Sequence, residues 1–220
     1  MRGEAPSCLI AQAPRWTEAF VQARQVNEAA RFRWPSDPCY QAIRATLLTM
    51  SAHHCAFCDG LLGRTSRETV EHFRPKATFP QHAYDWGNLY PCCDVCQSTK
   101  RELFDAALLQ PDELGYRFED FFLLDHRTGR LQPRPDASEA DRHRADRTLQ
   151  LYGLDTPERN KARRREVEHF SRDPDPVLDD YPYRFALRDV LPAPPPAPLP
   201  TAGTPRNSPP PASAGAAPPG

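Results

Sequence analysis

The sequence predicts an α+β protein: a small cysteine-stapled core with short strands, set between mostly helical segments and followed by a proline-rich tail. Three observations predict it. Two Cys-x-x-Cys pairs, Cys55/Cys58 and Cys93/Cys96, have 34 residues between them. Capped stretches of helical periodicity flank these pairs on both sides. From position 191 to 220 the chain carries twelve prolines and a single charged side chain, Arg206.

The elements follow in order. Residues 16–30 place Trp16, Ala19, Phe20 and Ala23 on one helix face. Asp37-Pro38 reads as a helix start, because aspartate caps and proline at the first position loses no needed hydrogen bond. That helix should run to about residue 51 with Ile43, Leu47, Leu48 and Met50 inward. Cys55 to Gly60 has the form of a zinc knuckle, its glycine relieving strain after the second ligand. Leu61-Leu62 and residues 68–73 are expected as two strands around the polar turn 63–67. A looser loop, 74–85, leads through 86–96 to a short helix at 94–104. Residues 121–125 and 129–132 should pair as a hairpin. A helix at 138–152 should stop at Gly153, and Thr156-Pro157 should open another, to residue 170, rich in arginine. The tail cannot bury enough apolar surface to offset the entropy of ordering it, so it is expected to be disordered and partly polyproline II.

Composition bounds the function loosely. With 220 residues and a formal charge of −1, bulk charge gives no evidence for or against a nucleic-acid partner, which would need a local patch. The apolar run at residues 8–10 is too short for the core of a secretory leader, and no stretch approaches the roughly 18 apolar residues of a membrane span. The expected setting is therefore cytoplasmic, away from membranes. There, seven cysteines point to metal binding before disulfides.

Zinc takes four thiolates in a tetrahedron, and each Cys-x-x-Cys turn supplies two. Cys55, Cys58, Cys93 and Cys96 are thus the expected structural Zn2+ ligands, with Cys8, Cys39 and Cys92 left over. A closed four-cysteine site holds the fold and catalyses nothing itself. The chemistry lies between the pairs, in Glu71-His72-Phe73-Arg74-Pro75-Lys76. Hydrolysing a phosphodiester needs a base near neutrality, which histidine supplies, and a cation for the leaving oxygen, which a carboxylate holds. On a strand Glu71 and His72 point to opposite faces, so one shared site needs a bend or bulge. Arg74 and Lys76 are placed to hold phosphates.

The order Cys55-x-x-Cys58, Glu71-His72-Phe-Arg-Pro-Lys76, Tyr84-Asp-Trp86-x-Asn88-Leu89, Cys93-x-x-Cys96, Lys100 resembles the HNH endonucleases. More narrowly, it resembles the HNH subunit of Septu-type antiphage defence systems and its retron-associated relatives. The likeness is strong over residues 55–100, and a weaker one extends through 147–154 and the arginine-rich helix. It implies a zinc-stapled ββα-metal core in which His72 activates water, Glu71 ligates a catalytic Mg2+ or Mn2+, and Asn88 orders the loop opposite the base. Gln97 stands where the family usually has a metal-binding asparagine or histidine. It carries the same amide oxygen on a stem one methylene longer. Lys100 and Arg101 are expected to contact the nucleic-acid backbone, while Trp86 and Phe73 are expected in the core. The resemblance also implies DNA as substrate and an ATPase partner protein. Two readings stay open: a DNA endonuclease, or a noncatalytic zinc module that binds nucleic acid or protein. RNA as substrate is a third, since metal-activated hydrolysis needs no 2′-hydroxyl. The expected boundaries are 1–52 for the helical N-terminal segment, 53–105 for the core, 106–185 for a hairpin and helical extension, and 186–220 for the tail.

Overall fold

A two-stranded antiparallel sheet, Glu68–His72 (β1) against Leu89–Cys93 (β2), is the centre around which the chain is organised. The computed structural model describes residues 2–34, 37–64 and 66–188. The proline-rich segment from 189 onward and Ser36, next to the expected helix start, lie outside them.

One side of the sheet is covered by helices Ser7–Val26 (α1) and Asp37–Met50 (α2). Leu9, Phe20, Cys39, Ile43 and Leu47 pack there with Val70, Tyr84 and Leu89. In α2 the buried positions are 39, 43 and 47, the spacing of one helix face. Helix α1 begins earlier than its periodicity suggests and passes through Pro14. That proline removes one helical hydrogen bond, but Leu9 is buried on one side of it and Phe20 on the other. The helix stops at Val26 because the Asn27 side chain turns the chain back, accepting from Ala29 N at 2.9 Å. Cys8 and Cys39 are joined in a disulfide between α1 and α2. This corrects the expectation that both are spare thiols: packing the two helices brings together cysteines 31 residues apart.

The other side of the sheet meets the C-terminal half. Asp94–Lys100 (α3) follows β2 directly. A short helix, Phe118–Phe121 (α4), then leads into the hairpin Phe122–Asp125 (β3) and Arg130–Pro133 (β4). Helices Glu139–Tyr152 (α5) and Pro157–Phe170 (α6) have the expected caps: Ser138 accepts from Asp141 N, and Thr156 accepts from Arg159 N. Gly153 ends α5 in the left-handed conformation, with Leu154 N bonded to Leu149 O at 2.9 Å. A last turn, Arg184–Leu187 (α7), closes on the knuckle.

Leu61-Leu62 do not form the strand partner of β1. Leu61 makes one isolated bridge to His54, and Leu62 N bonds His53 O, so these residues close the knuckle on itself. Residue 59, not Gly60, takes the left-handed backbone there. Asp59 tolerates it because its carboxylate accepts from Arg184 N at 2.6 Å and from the Arg184 guanidinium at 2.7 Å.

Candidate active site and metal centre

Four sulfurs meet where the knuckle touches the start of α3. The Sγ atoms of Cys55, Cys58, Cys93 and Cys96 all lie within 4.8 Å of one another and are buried. Cys58 and Cys93 are 3.7 Å apart, close to the roughly 3.8 Å that two ligands at 2.3 Å from a tetrahedral zinc must keep. The donor set and the spacing fit that ion. Cys92 is outside the cluster; its Sγ turns to Cys93 O at 3.3 Å. Cys92 packs in the same core as the four, beside Cys55 and Cys96, but it is Cys93 whose sulfur completes the group of four within 4.8 Å. Cys93 also caps α3, accepting from Cys96 N at 3.3 Å.

Arg159 approaches the cluster from α6, its guanidinium donating to Cys96 Sγ at 3.2 Å. Burial works against the Arg159 charge, yet the neighbouring Cys96 and Cys58 thiolates outweigh it and hold its pKa above the ordinary arginine value. Arg163, one turn on, is also buried and bonds Gly129 O and Leu154 O. Gly129 is required at this contact because any side chain there would strike the Asn160 carbonyl of α6. These two members of the arginine-rich helix are therefore structural, neither solvated nor free to meet phosphate. Lys161, Arg164 and Arg165 do face solvent.

The β1–β2 register runs without a bulge to His72, where the strand ends. The pleat therefore sends Glu71 towards α3 and His72 towards the α1–α2 connection. Glu71 is 4% exposed and pairs with Lys100, Nζ to Oε1 at 2.7 Å. Burial pushes its carboxyl pKa up, while the Lys100 ammonium opposes that rise. Gln97 stands beside it and spends its amide N–H on Val70 O at 3.1 Å. Lys100, expected on the surface as a phosphate contact, is fully enclosed and also donates to His72 O at 3.0 Å. The physical reason is the buried carboxylate, which needs a cation beside it. Its position, four residues after Cys96 and so on the inner face of α3, was the available signal.

His72 is 5% exposed and its ring is held on three sides. Nε2 bonds Ala83 O at 2.9 Å; Trp34 stacks at 5.4 Å and Phe32 meets it edge-on at 5.1 Å. Because a carbonyl only accepts, Nε2 carries the proton and Nδ1 keeps its lone pair. Nδ1 has no hydrogen-bond partner among the described residues. Asn88 clamps the loop across from the ring, accepting from Arg74 N and donating to Arg74 O and His82 O. Arg74 and Arg101 are exposed, and Lys76 lies 3.7 Å from Glu102. Phe73 is in the core; Trp86 is half-buried and bonds Gly3 O.

Burial first, and the nearby Lys76 charge second, hold the His72 pKa down at about 3. The same ring in an unfolded chain titrates near 6.5. Its stabilising contribution is thus complete above about pH 6.5 and is lost as the pH falls towards 3, at about 1.4 kcal/mol per pH unit. Urea unfolding at pH 7 and pH 5 should show the wild type losing about 2 kcal/mol more than His72→Gln. Equal losses would mean that the ring titrates freely in the folded protein.

No family model matches the chain. The chain is similar to the Septu protein PtuB of Bacillus thuringiensis, with 34% identity over 100 residues, covering 45% of this chain and 35% of that protein. It thus spans about a third of the length of this curated relative. No helix among the described residues is long and apolar enough to cross a membrane.

Proposed function

We propose that the chain is a metal-dependent HNH-type endonuclease that hydrolyses DNA phosphodiester bonds, acting beside an ATPase partner in antiphage defence. The observation that carries it is the His72 imidazole, locked by Ala83 O into the tautomer that leaves Nδ1 free as a base. The similarity to a Septu protein supports the defence setting. In this reading Nδ1 takes the proton of the attacking water, and Asn88 keeps the loop from collapsing onto the ring. Arg74, Lys76 and Arg101 meet phosphates. The oxygen of Glu71 not taken by Lys100 and the amide oxygen of Gln97 are hard donors suited to Mg2+ or Mn2+. Because β1 has no bulge they lie on the face opposite His72, so joining metal and base in one site requires the backbone to rearrange where the strand ends. When bound, that cation stabilises charge on the leaving oxygen. The four cysteines hold Zn2+ as a staple.

The test is plasmid cleavage by purified protein with each metal, with and without the ATPase partner. His72→Ala should lower the rate by about 10²–10⁴-fold. No cleavage under any divalent metal, or an unchanged rate in the variant, counts against the reading. A noncatalytic zinc module is the second reading, favoured by Lys100 already occupying one Glu71 oxygen. Large gain of activity in Gln97→Asn from an inactive parent would select it.

A further inference from the structure

The chain leaving α1 crosses the His72 side of the sheet as Arg31-Phe32-Arg33-Trp34, basic and aromatic residues in alternation. Its aromatic members turn inward. Phe32 touches Phe20, Tyr84 and Trp34 at ring separations of 5.5, 5.0 and 5.0 Å, besides His72. The backbone between them is pinned, since Tyr84 Oη donates to Arg33 O at 2.6 Å. With residues 32 and 34 committed to the site, Arg31 and Arg33 are exposed. Neither has an ion-pair partner among the described residues.

In the C-terminal half Arg117, Arg134, Arg144 and Arg147 each hold a carboxylate at 2.8 Å or less, while Arg142 and Arg165 are exposed with no ion pair among the described residues. Around His72 the guanidinium groups are left open. Arg74, two residues beyond the base, is exposed and also lacks an ion pair among the described residues. The Lys76 ammonium lies 5.7 Å from the Phe32 ring, which ties this side of the loop to the same strip. Unpaired arginines on a rigid backbone beside a base suit one ligand chemistry, the repeating monoanion of a phosphodiester chain. Arginine presents a planar fork to each phosphate at little cost in ordering, because the aromatic anchors already fix its backbone.

We propose that Arg31 and Arg33, with Arg74, form the strip that seats the sugar-phosphate backbone of a nucleic acid next to His72. The N-terminal segment then supplies part of the substrate surface as well as covering the sheet. The strip rests on the reading of His72 as the reactive centre, and binding is measurable apart from cleavage.

The experiment uses the full chain carrying His72→Ala, so that the probe stays intact, and a labelled DNA duplex titrated between 50 and 200 mM salt, the range over which phosphate binding responds steeply to salt. Adding Arg31→Ala and Arg33→Ala should weaken binding and reduce the slope of log K against log salt by about 1.8, roughly 0.9 for each phosphate no longer neutralised. Arg117→Ala with Arg134→Ala, which removes two ion-paired arginines, should leave the slope unchanged. All variants are first matched for zinc content and melting temperature. An unchanged slope in the Arg31/Arg33 variant, or no DNA binding by the His72→Ala parent at 50 mM salt, overturns the proposal. So does loss of poly-glutamate binding with DNA binding intact, which would assign the strip to an acidic protein surface. A reduced slope in a protein whose wild type never cuts DNA keeps the strip and removes the nuclease reading. Cleavage with an unchanged slope does the reverse.

Discussion

Replacing Cys93 by serine is expected to release the bound metal and melt the core, whereas replacing its neighbour Cys92 should do neither. Elemental analysis of the wild type should find about one zinc per chain. Cys93 has three local roles: its Sγ stands 3.7 Å from Cys58 Sγ, it caps α3, and its backbone N–H donates to Cys55 Sγ at 3.4 Å. Serine keeps a weak cap and loses the ligand. Structural zinc sites supply on the order of 10 kcal/mol or more of apparent folding free energy, so losing a ligand exceeds the margin of an ordinary domain. Cys92→Ser exchanges a buried thiol for a hydroxyl that can still donate to Cys93 O, at a cost of about 1 kcal/mol. Zinc content and thermal unfolding of the two variants decide the matter. Retention of zinc by Cys93→Ser with loss in Cys92→Ser would reverse the ligand assignment.

Removing the ammonium of Lys100 is expected to destabilise the fold almost as strongly. Lys100→Met leaves Glu71 enclosed with no cation beside it, a loss of about 3–5 kcal/mol at neutral pH. The burial that already raises the Glu71 carboxyl would then act unopposed by its main counter-charge. The carboxyl would bind a proton more readily, so the deficit should shrink as the pH is lowered from 7 to 5. Glu71→Gln combined with Lys100→Met should recover much of the loss, since the uncompensated charge is gone. Urea unfolding of the four proteins in a double-mutant cycle measures the coupling. Additive losses would show that the two groups do not depend on each other.

Much of this architecture is readable in the amino-acid order because the relevant signals are local. The CxxC spacing, the caps at Ser138 and Thr156, the stop at Gly153 and the hairpin turn all act within a few residues of where they are written. What escapes is decided at long range. The partner of β1 is β2, some twenty residues on, rather than the adjacent Leu61-Leu62. A lysine or arginine reads as surface until a buried anion calls it inward, as Glu71 does to Lys100 and the thiolates do to Arg159. The i, i+4 spacing of Arg159 and Arg163 marks a single helix face, but nothing local says that the face is internal. The Cys8–Cys39 bond needs two helices to be docked first.

The sheet has only two strands, and its two faces are roofed by opposite ends of the chain. Such a ribbon has no independent stability in water. The cysteine-bounded stretch is therefore a keystone and cannot be lifted out as a portable finger. Cutting the chain at residue 105 would strip Arg159 from Cys96 and Tyr152 from the cysteine cluster, just as trimming the first fifty residues would bare Val70 and Leu89. Metal, helices and hairpin should melt as one cooperative body, so that a protease finds no intermediate-sized fragment to leave behind.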